Sequence, residues 1–223
     1  GQRELELSVR LEPLPEGPPP AELPPPRTVL VPPAEERPPV GIQPLQLAEW
    51  KNEAWAFVPE EYDPAVPYGM LIWLHADGDF DHEEAVDRWR EACAQNDVIL
   101  LLPRPSDPQR WHPDELEFLR ALANQLAASY NVDRHRVVAG GHGSGGTLAY
   151  MLAFANRDFI HGIAAVGAPM IGPPPPVDPL QPLAVTIYAA TESRYAQLIN
   201  RTIERLREAG YPVTVHSLGQ RPR

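Results

Sequence analysis

The sequence predicts an α/β fold in which a mostly parallel sheet is covered by helices on both faces. Near-continuous apolar runs are typical of parallel strands that are buried on both sides. Four such runs occur: VILLLP (98–103), RVVAGG (136–141), GIAAVG (162–167) and LAVTIYAA (183–190). Segments with helical periodicity separate them. Strand and helix therefore alternate along the chain, as in a sheet built from right-handed crossovers.

The remaining elements follow from periodicity and from residues typical of helix ends. Two strands precede the apolar runs and one follows them: WAFVP (55–59), MLIWLH (70–75) and YPVTVHSL (211–218). The three helices are predicted over residues 82–96, 113–130 and 193–210. Asp81 is a candidate N-cap of the first helix, Pro113 suits the first position of the second, and Gly210 closes the third.

The amino-terminal part of the chain has a different composition. Residues 4–11, ELELSVRL, alternate apolar and polar side chains, which predicts a half-buried strand within residues 1–12. This strand resembles the end of a PDZ domain of a secreted protease, which implies an upstream domain and favours a secreted or periplasmic location. Thirteen prolines between Pro13 and Pro44 predict an extended linker over residues 13–40. The main domain is then expected over residues 41–223.

Composition excludes several classes of partner. The net charge is -11 and Lys51 is the one lysine among 19 basic residues, so we expect neither nucleic acid nor an anionic membrane as partner. No apolar run approaches the roughly 20 residues that span a bilayer. Cys93 is the single cysteine, which excludes an intrachain disulfide and a thiolate metal cluster. We expect no cofactor and no metal.

A glycine-rich segment, VVAGGHGSGGTLAYMLA (137–153), runs from an apolar strand through a turn into a helix. Three other pieces accompany it: EYDPAVPYGMLIWLHADG (61–78), YNVDRHRVV (130–138) and LREAGYPVTVHSLG (206–219). Together they resemble the α/β-hydrolase superfamily, most closely its esterase, dienelactone-hydrolase and polyester-depolymerase branch. The resemblance implies an α/β-hydrolase-like sandwich. It also implies a nucleophile elbow, which reads G-H-S-x-G-G in that branch.

The register of the elbow leaves two alternatives. If position 143 is the nucleophile site, Gly141 and Gly145 lie two residues to either side, where the backbones approach closely, and His142 precedes it. The nucleophile is then replaced by Gly143, and we expect residues 141–145 to be a vestigial elbow. If Ser144 is the nucleophile, the bulky His142 falls at a position of close approach. Ser144 remains the alternative nucleophile.

The other catalytic parts that the resemblance implies are altered too. A catalytic acid is expected after the strand 183–190, where the chain has Glu192 and Ser193 as a vestigial acid loop. The catalytic histidine is expected after the last strand, but the chain reads LGQRPR there. His216 lies within that strand, so we expect a structural role for it. His75 and Ala76 stand where the superfamily has His-Gly, which implies a vestigial oxyanion region.

Two weaker patterns also leave alternatives. Asp77, Asp79 and Asp81 have the odd spacing of a calcium loop, although the glycine and the final glutamate of such a loop are absent. An acidic cap for the next helix is the expected alternative. The PPPP run at 173–176 is either a stiff connection or a proline-rich ligand surface.

These observations predict a non-catalytic α/β-hydrolase-like domain that serves as a binding, docking or structural module in a larger protein. Its partners would be an unidentified ligand or protein and a covalently attached upstream domain. The alternative is an active serine hydrolase, a carboxylesterase or peptidase, with Ser144 as nucleophile.

Overall fold

A computed structural model of the chain describes residues 38–190 and 194–218. The strand expected within residues 1–12, most of the expected linker and the residues after Leu218 lie outside the described residues. The described part contains eight strands and four helices. The strands are β1 (Gly41–Leu45), β2 (Ala54–Val58), β3 (Tyr68–Leu74), β4 (Val98–Pro103), β5 (Val132–His142), β6 (Gly162–Val166), β7 (Ala184–Ala190) and β8 (Val213–Leu218). The helices are α1 (His82–Gln95), α2 (Leu116–Ser129), α3 (Ser144–Ala155) and α4 (Ala196–Glu208).

The eight strands form one sheet in the order β1-β2-β4-β3-β5-β6-β7-β8. The strands from β3 to β8 are parallel to one another, whereas β1 and β2 pair antiparallel with their neighbours. The longest strand, β5, lies between β3 and β6 in the middle of the sheet. The mostly parallel α/β sheet that the apolar runs predict is therefore present.

Most predicted elements differ from the observed ones only at their ends. β4 spans the predicted residues, and Asp81 caps α1 by accepting hydrogen bonds from the backbone N–H groups of Glu83 and Glu84. Pro113 begins a 3₁₀ turn that leads into α2. The sequence did not predict β1, which contains Pro44 and lies at the edge of the sheet. An edge strand tolerates proline because one side of its backbone has no partner strand.

Helices lie on both faces of the sheet, but unequally. On one face α2, α3 and α4 bury a large core against the parallel strands. On the other face α1 packs on β2 and β4. A smaller cluster of buried residues joins α1 to these strands: Val86 and Cys93 of α1 with Phe57, Leu100 and Leu102. The large core holds β5 and α3 rigidly, and the turn between these two elements is where the candidate site lies.

Candidate functional site

Gly143 forms the turn between β5 and α3, with φ 57° and ψ -123°. Its N–H donates to the carbonyl oxygen of Val166 at 3.0 Å, and its own carbonyl accepts from the N–H of Thr147 at 3.0 Å. This combination of dihedral angles lies outside the regions that residues with a Cβ populate freely. Glycine adopts it without the strain that a side chain would introduce.

The glycines on either side of the turn are required by close packing. A Cβ on Gly141 would lie 2.5 Å from the carbonyl oxygen of Leu74, and a Cβ on Gly145 would lie 2.2 Å from the same oxygen. At Gly143 the nearest atom to such a Cβ is that of Ala76, at an ordinary contact distance of 3.5 Å. Residue 143 is therefore the apex of the turn, and it is the position with room for a side chain.

Ser144 is the first residue of α3, and its hydroxyl contacts a carboxylate. Its Oγ donates to Oδ1 of Asp77 at 2.5 Å. Asp77 lies just beyond β3, which pairs with β5, so the carboxyl ends of these neighbouring strands bring the two residues together. The carboxylate of Asp77 also places a negative charge at the N-terminus of α3, where the helix dipole favours it.

His75, which directly follows β3, is packed into the protein. Its ring stacks on Phe80 with 4.2 Å between ring centroids, and its carbonyl oxygen accepts from Nε1 of Trp111 at 2.8 Å. Its Nδ1 is 2.6 Å from the carbonyl oxygen of Ala76. Burial lowers the pKa of His75, so the imidazole is neutral near pH 7. The hydrogen bond of this ring is made within its own loop.

The other predicted residues are dispersed. His216 lies in β8, is exposed, and stacks on Tyr188 of β7 with 4.9 Å between ring centroids. His142 is exposed beside the turn. Glu192 and Ser193 lie outside the described residues. Within residues 38–190 and 194–218, no histidine hydrogen-bonds to Ser144.

A cleft of about 740 Å³ opens above the turn. Gly143, Ser144 and Asp77 lie in its wall. Most of its other lining residues are apolar, among them Trp111, Pro113, Leu148, Met151, Pro169 and Ile171. A cleft of this volume and lining is suited to an apolar small molecule or an apolar side chain of a peptide.

Comparison with known proteins gives one relative of similar sequence. A curated protein of Nocardia uniformis subsp. tsuyamanensis, "Putative esterase NocK", is 30% identical over 137 residues, which are 55% of this chain and 40% of that protein. The chain thus spans well under half the length of that relative. No family model matches the chain.

Solved structures of similar architecture are hydrolases. An α/β-hydrolase enzyme from a Medee basin deep-sea metagenome library matches 81% of this chain and 81% of its own, with a TM-score of 0.63 and 16% identity. Fluorophosphonate-binding serine hydrolase F of Staphylococcus aureus, solved with substrate bound, matches 79% of this chain and 88% of its own, with a TM-score of 0.61 and 12% identity. The chain has the α/β-hydrolase fold.

Catalytic α/β-hydrolases stabilise an oxyanion with two backbone N–H groups, one from the residue after the nucleophile and one from the loop after the third strand. With residue 143 at the apex, the first of these positions is Ser144, and the loop after β3 begins at His75 and Ala76. The Asp77 carboxylate accepts a hydrogen bond from the hydroxyl of Ser144, the residue at the first of these positions. This charge is the feature of the site that the sequence did not reveal, because Asp77 stood out only as part of an acidic run.

Within the acidic run, Asp81 caps α1 and Asp77 accepts the hydrogen bond from Ser144. Among the described residues no group of three or more His, Cys, Asp or Glu side chains is placed to hold a metal ion. No helix in the same part of the chain has the length and apolar character needed to cross a membrane. The PPPP run is held by hydrogen bonds, since the carbonyl oxygens of Pro175 and Pro176 accept from Tyr211 and Arg157.

Proposed function

We propose that residues 41–223 form a non-catalytic α/β-hydrolase-like domain that binds a ligand or a protein partner as a module of a larger protein. One observation carries the proposal: the residue at the apex of the turn is Gly143. Serine catalysis in this fold needs a hydroxyl at that apex, within reach of a histidine and beside the oxyanion amides. Glycine supplies no nucleophilic atom.

Ser144 is poorly placed to replace the missing nucleophile. It is one residue beyond the apex, in the first turn of α3, and its hydroxyl donates to Asp77. An unactivated serine is a weak nucleophile and needs a base to take its proton, most often a histidine that a third group orients. Among the described residues no histidine hydrogen-bonds to Ser144, and His216 is stacked on Tyr188 within the sheet.

The charge of Asp77 also argues against acyl transfer at this site. The transition state of acyl transfer develops negative charge on the carbonyl oxygen, and catalysts place hydrogen-bond donors or positive charge there. A carboxylate bonded to the hydroxyl of Ser144, in the wall of the same cleft, would oppose that charge. The cleft nevertheless keeps its volume and its apolar lining, which supports binding without chemistry.

An active serine hydrolase, a carboxylesterase or peptidase, is the alternative function. Two observations favour it: Ser144 lies in the wall of the cleft, and the structural relatives are hydrolases. In this alternative Ser144 is the nucleophile and Glu192 or another acid completes the site.

Hydrolysis of an activated acyl ester by the chain and by Ser144→Ala separates the two functions. The matched variant keeps the helix start and removes only the hydroxyl. We expect the two rates to be equal and close to that of the free ester. A rate for the unmodified chain that exceeds the Ser144→Ala rate by about tenfold, or 1.4 kcal/mol in the barrier, would establish the hydrolase instead.

A further inference from the structure

Among the described residues that line the cleft above the turn, Asp77 is the one acid. Its Oδ1 accepts the hydrogen bond from the hydroxyl of Ser144, and the residue is exposed. Over residues 38–190 and 194–218, no lysine or arginine side chain lies within ion-pair distance of this carboxylate. Asp77 therefore places a negative charge without a paired cation in the wall of the cleft.

The surface that shares the cleft with this charge is largely apolar. Leu148 and Met151 follow Ser144 on one face of α3, at the spacing of four and then three residues that puts side chains on the same side of a helix. The indole ring of Trp111 reaches the cleft from the loop before α2. It is fixed there because its Nε1 donates to the carbonyl oxygen of His75 at 2.8 Å. The cleft thus combines an aliphatic stripe, an aromatic ring and a single carboxylate.

Arg194 is the one lysine or arginine among the described residues of the cleft wall, and it lies far from Asp77. Asp77 follows β3 and Arg194 follows β7, while β5 and β6 lie between these two strands in the sheet. At about 4.8 Å per strand, the ends of β3 and β7 are roughly 14 Å apart. The guanidinium of Arg194 lies over the ring of Tyr195, 4.6 Å from its centroid. The two charges therefore belong to opposite sides of the cleft.

We propose that the cleft binds a molecule with an apolar body and a positively charged amine or guanidine group, and that Asp77 selects this charge. The proposal rests on the function proposed above, because it names the class of ligand for the same cleft. The cation pairs with the carboxylate of Asp77, and the apolar body lies on Leu148 and Met151 beside Trp111. Charges attract each other more strongly where apolar groups exclude water, so the lining of the cleft strengthens the preference.

The carboxylate changes the kind of molecule that suits this fold. A catalytic α/β-hydrolase places hydrogen-bond donors where its substrate develops negative charge, and one of these donors comes from the loop after the third strand. In this chain the loop after β3 carries Asp77, which is bonded to the first residue of α3. A ligand with a negative group is disfavoured beside this carboxylate, whereas a ligand with a positive group is favoured.

Three probes of the same length separate charge from shape: phenylbutylamine, phenylbutanol and phenylbutyrate. They share one apolar body, and none of them is an ester, so hydrolysis does not contribute to the result. The titrations are made at pH 8, where the amine is charged because an alkylammonium group has a pKa of about 10. Asp77→Asn removes the charge and keeps an oxygen for Ser144. Asp79→Asn is the matched control, since Asp79 is an exposed acid of the same loop outside the cleft wall.

We expect the amine to bind about three- to fivefold more tightly than the alcohol at low salt, and the carboxylate probe to bind more weakly than the alcohol. Dissociation constants come from NMR titration of the probe signals. Asp77→Asn should abolish the preference for the amine and leave binding of the alcohol unchanged, which also shows that the cleft is intact. Asp79→Asn should retain the preference.

Four outcomes would overturn the proposal: no binding of any probe, equal binding of all three, a preference for the amine that survives Asp77→Asn, or tighter binding of phenylbutyrate that Arg194→Gln removes. The last of these would assign the selection to Arg194. Loss of the preference leaves the non-catalytic function standing. Ester hydrolysis that depends on Ser144 would refute that function without changing these dissociation constants.

Discussion

The hydroxyl of Ser144 donates a hydrogen bond to the carboxylate of Asp77, 67 residues earlier in the chain. The two residues follow neighbouring strands of the sheet, and both line the cleft above the turn. The one serine of the glycine-rich motif is thus hydrogen-bonded to Asp77. The residue before it, at the apex of the turn, is Gly143.

Replacement of Gly143 by serine tests whether the elbow motif alone is enough for ester hydrolysis. Gly143→Ser restores the G-H-S-S-G-G motif, but we expect no histidine of the described residues to take the proton of the new hydroxyl, since His75 is stacked on Phe80 and His216 on Tyr188. We expect at most trace ester hydrolysis. We also expect a loss of roughly 1–2 kcal/mol in the free energy of unfolding, measured from urea midpoints, because a residue with a Cβ must adopt φ 57°.

Gly143→Ala is the matched control for this variant. It introduces the same backbone strain without the hydroxyl, so its urea midpoint should equal that of Gly143→Ser and its hydrolysis should equal that of the unmodified chain. Robust turnover by Gly143→Ser alone would mean that a histidine still reaches the site. His216 would then be the first candidate, and the structural role given to it here would be wrong.

The flanking glycine should respond differently from the apex. A Cβ at Gly145 would lie 2.2 Å from the oxygen of Leu74 and 2.4 Å from that of His75. Gly145→Ala therefore forces the backbone of β3 and α3 apart and should cost about 3 kcal/mol or more, well above the cost of Gly143→Ala. Urea denaturation of both variants measures the difference. Equal midpoints would place the apex of the turn elsewhere than at residue 143.

The pair of Ser144 and Asp77 can be examined with a double-mutant cycle. Asp77→Ala removes a charge from the N-terminus of α3 and should lower the free energy of unfolding by about 0.3–1 kcal/mol, and less in high salt. Because the two side chains are hydrogen-bonded, the effects of Asp77→Ala and Ser144→Ala should not add. A coupling energy of about 0.5–1.5 kcal/mol is expected from the urea midpoints of the cycle. Strict additivity would show that the bond contributes nothing.

The thiol of Cys93 gives a probe of unfolding, since it is the single cysteine of the sequence and is buried on the inner face of α1. Burial raises the pKa of Cys93 from 9.0 to about 11, so the folded protein holds it as the neutral thiol. A raised pKa contributes stability that is present below pH 9 and is lost as the pH rises through about 11. We expect alkylation at pH 8 to proceed only through unfolding and to accelerate with urea. Rapid alkylation of the folded chain would contradict this burial.

The sequence predicted the fold well because its signals are local and strong. The apolar run 98–103 is β4 residue for residue, and the cap at Asp81 begins α1 as expected. β1 was not predicted because a proline such as Pro44 is uncommon inside strands. It is tolerated in β1 because β1 lies at the edge of the sheet. A local pattern does not carry information about the neighbours of a strand.

The site could be predicted only in part, for the same reason. The spacing of Gly141 and Gly145 around Gly143 follows from the motif, and the close approach to Leu74 explains it. The hydrogen bond between Ser144 and Asp77 depends on which two strand ends the fold brings together. It cannot be read from composition or periodicity.

The central claim is that the turn of this α/β-hydrolase fold carries no reactive serine, and covalent labelling tests it most directly. The native chain is incubated with a fluorophosphonate probe beside an active serine hydrolase as a positive control, and its intact mass is measured. The account predicts an unchanged mass for the chain and a complete adduct on the control. A stoichiometric adduct that forms only on the folded chain and disappears in Ser144→Ala would contradict the account and identify Ser144 as a working nucleophile.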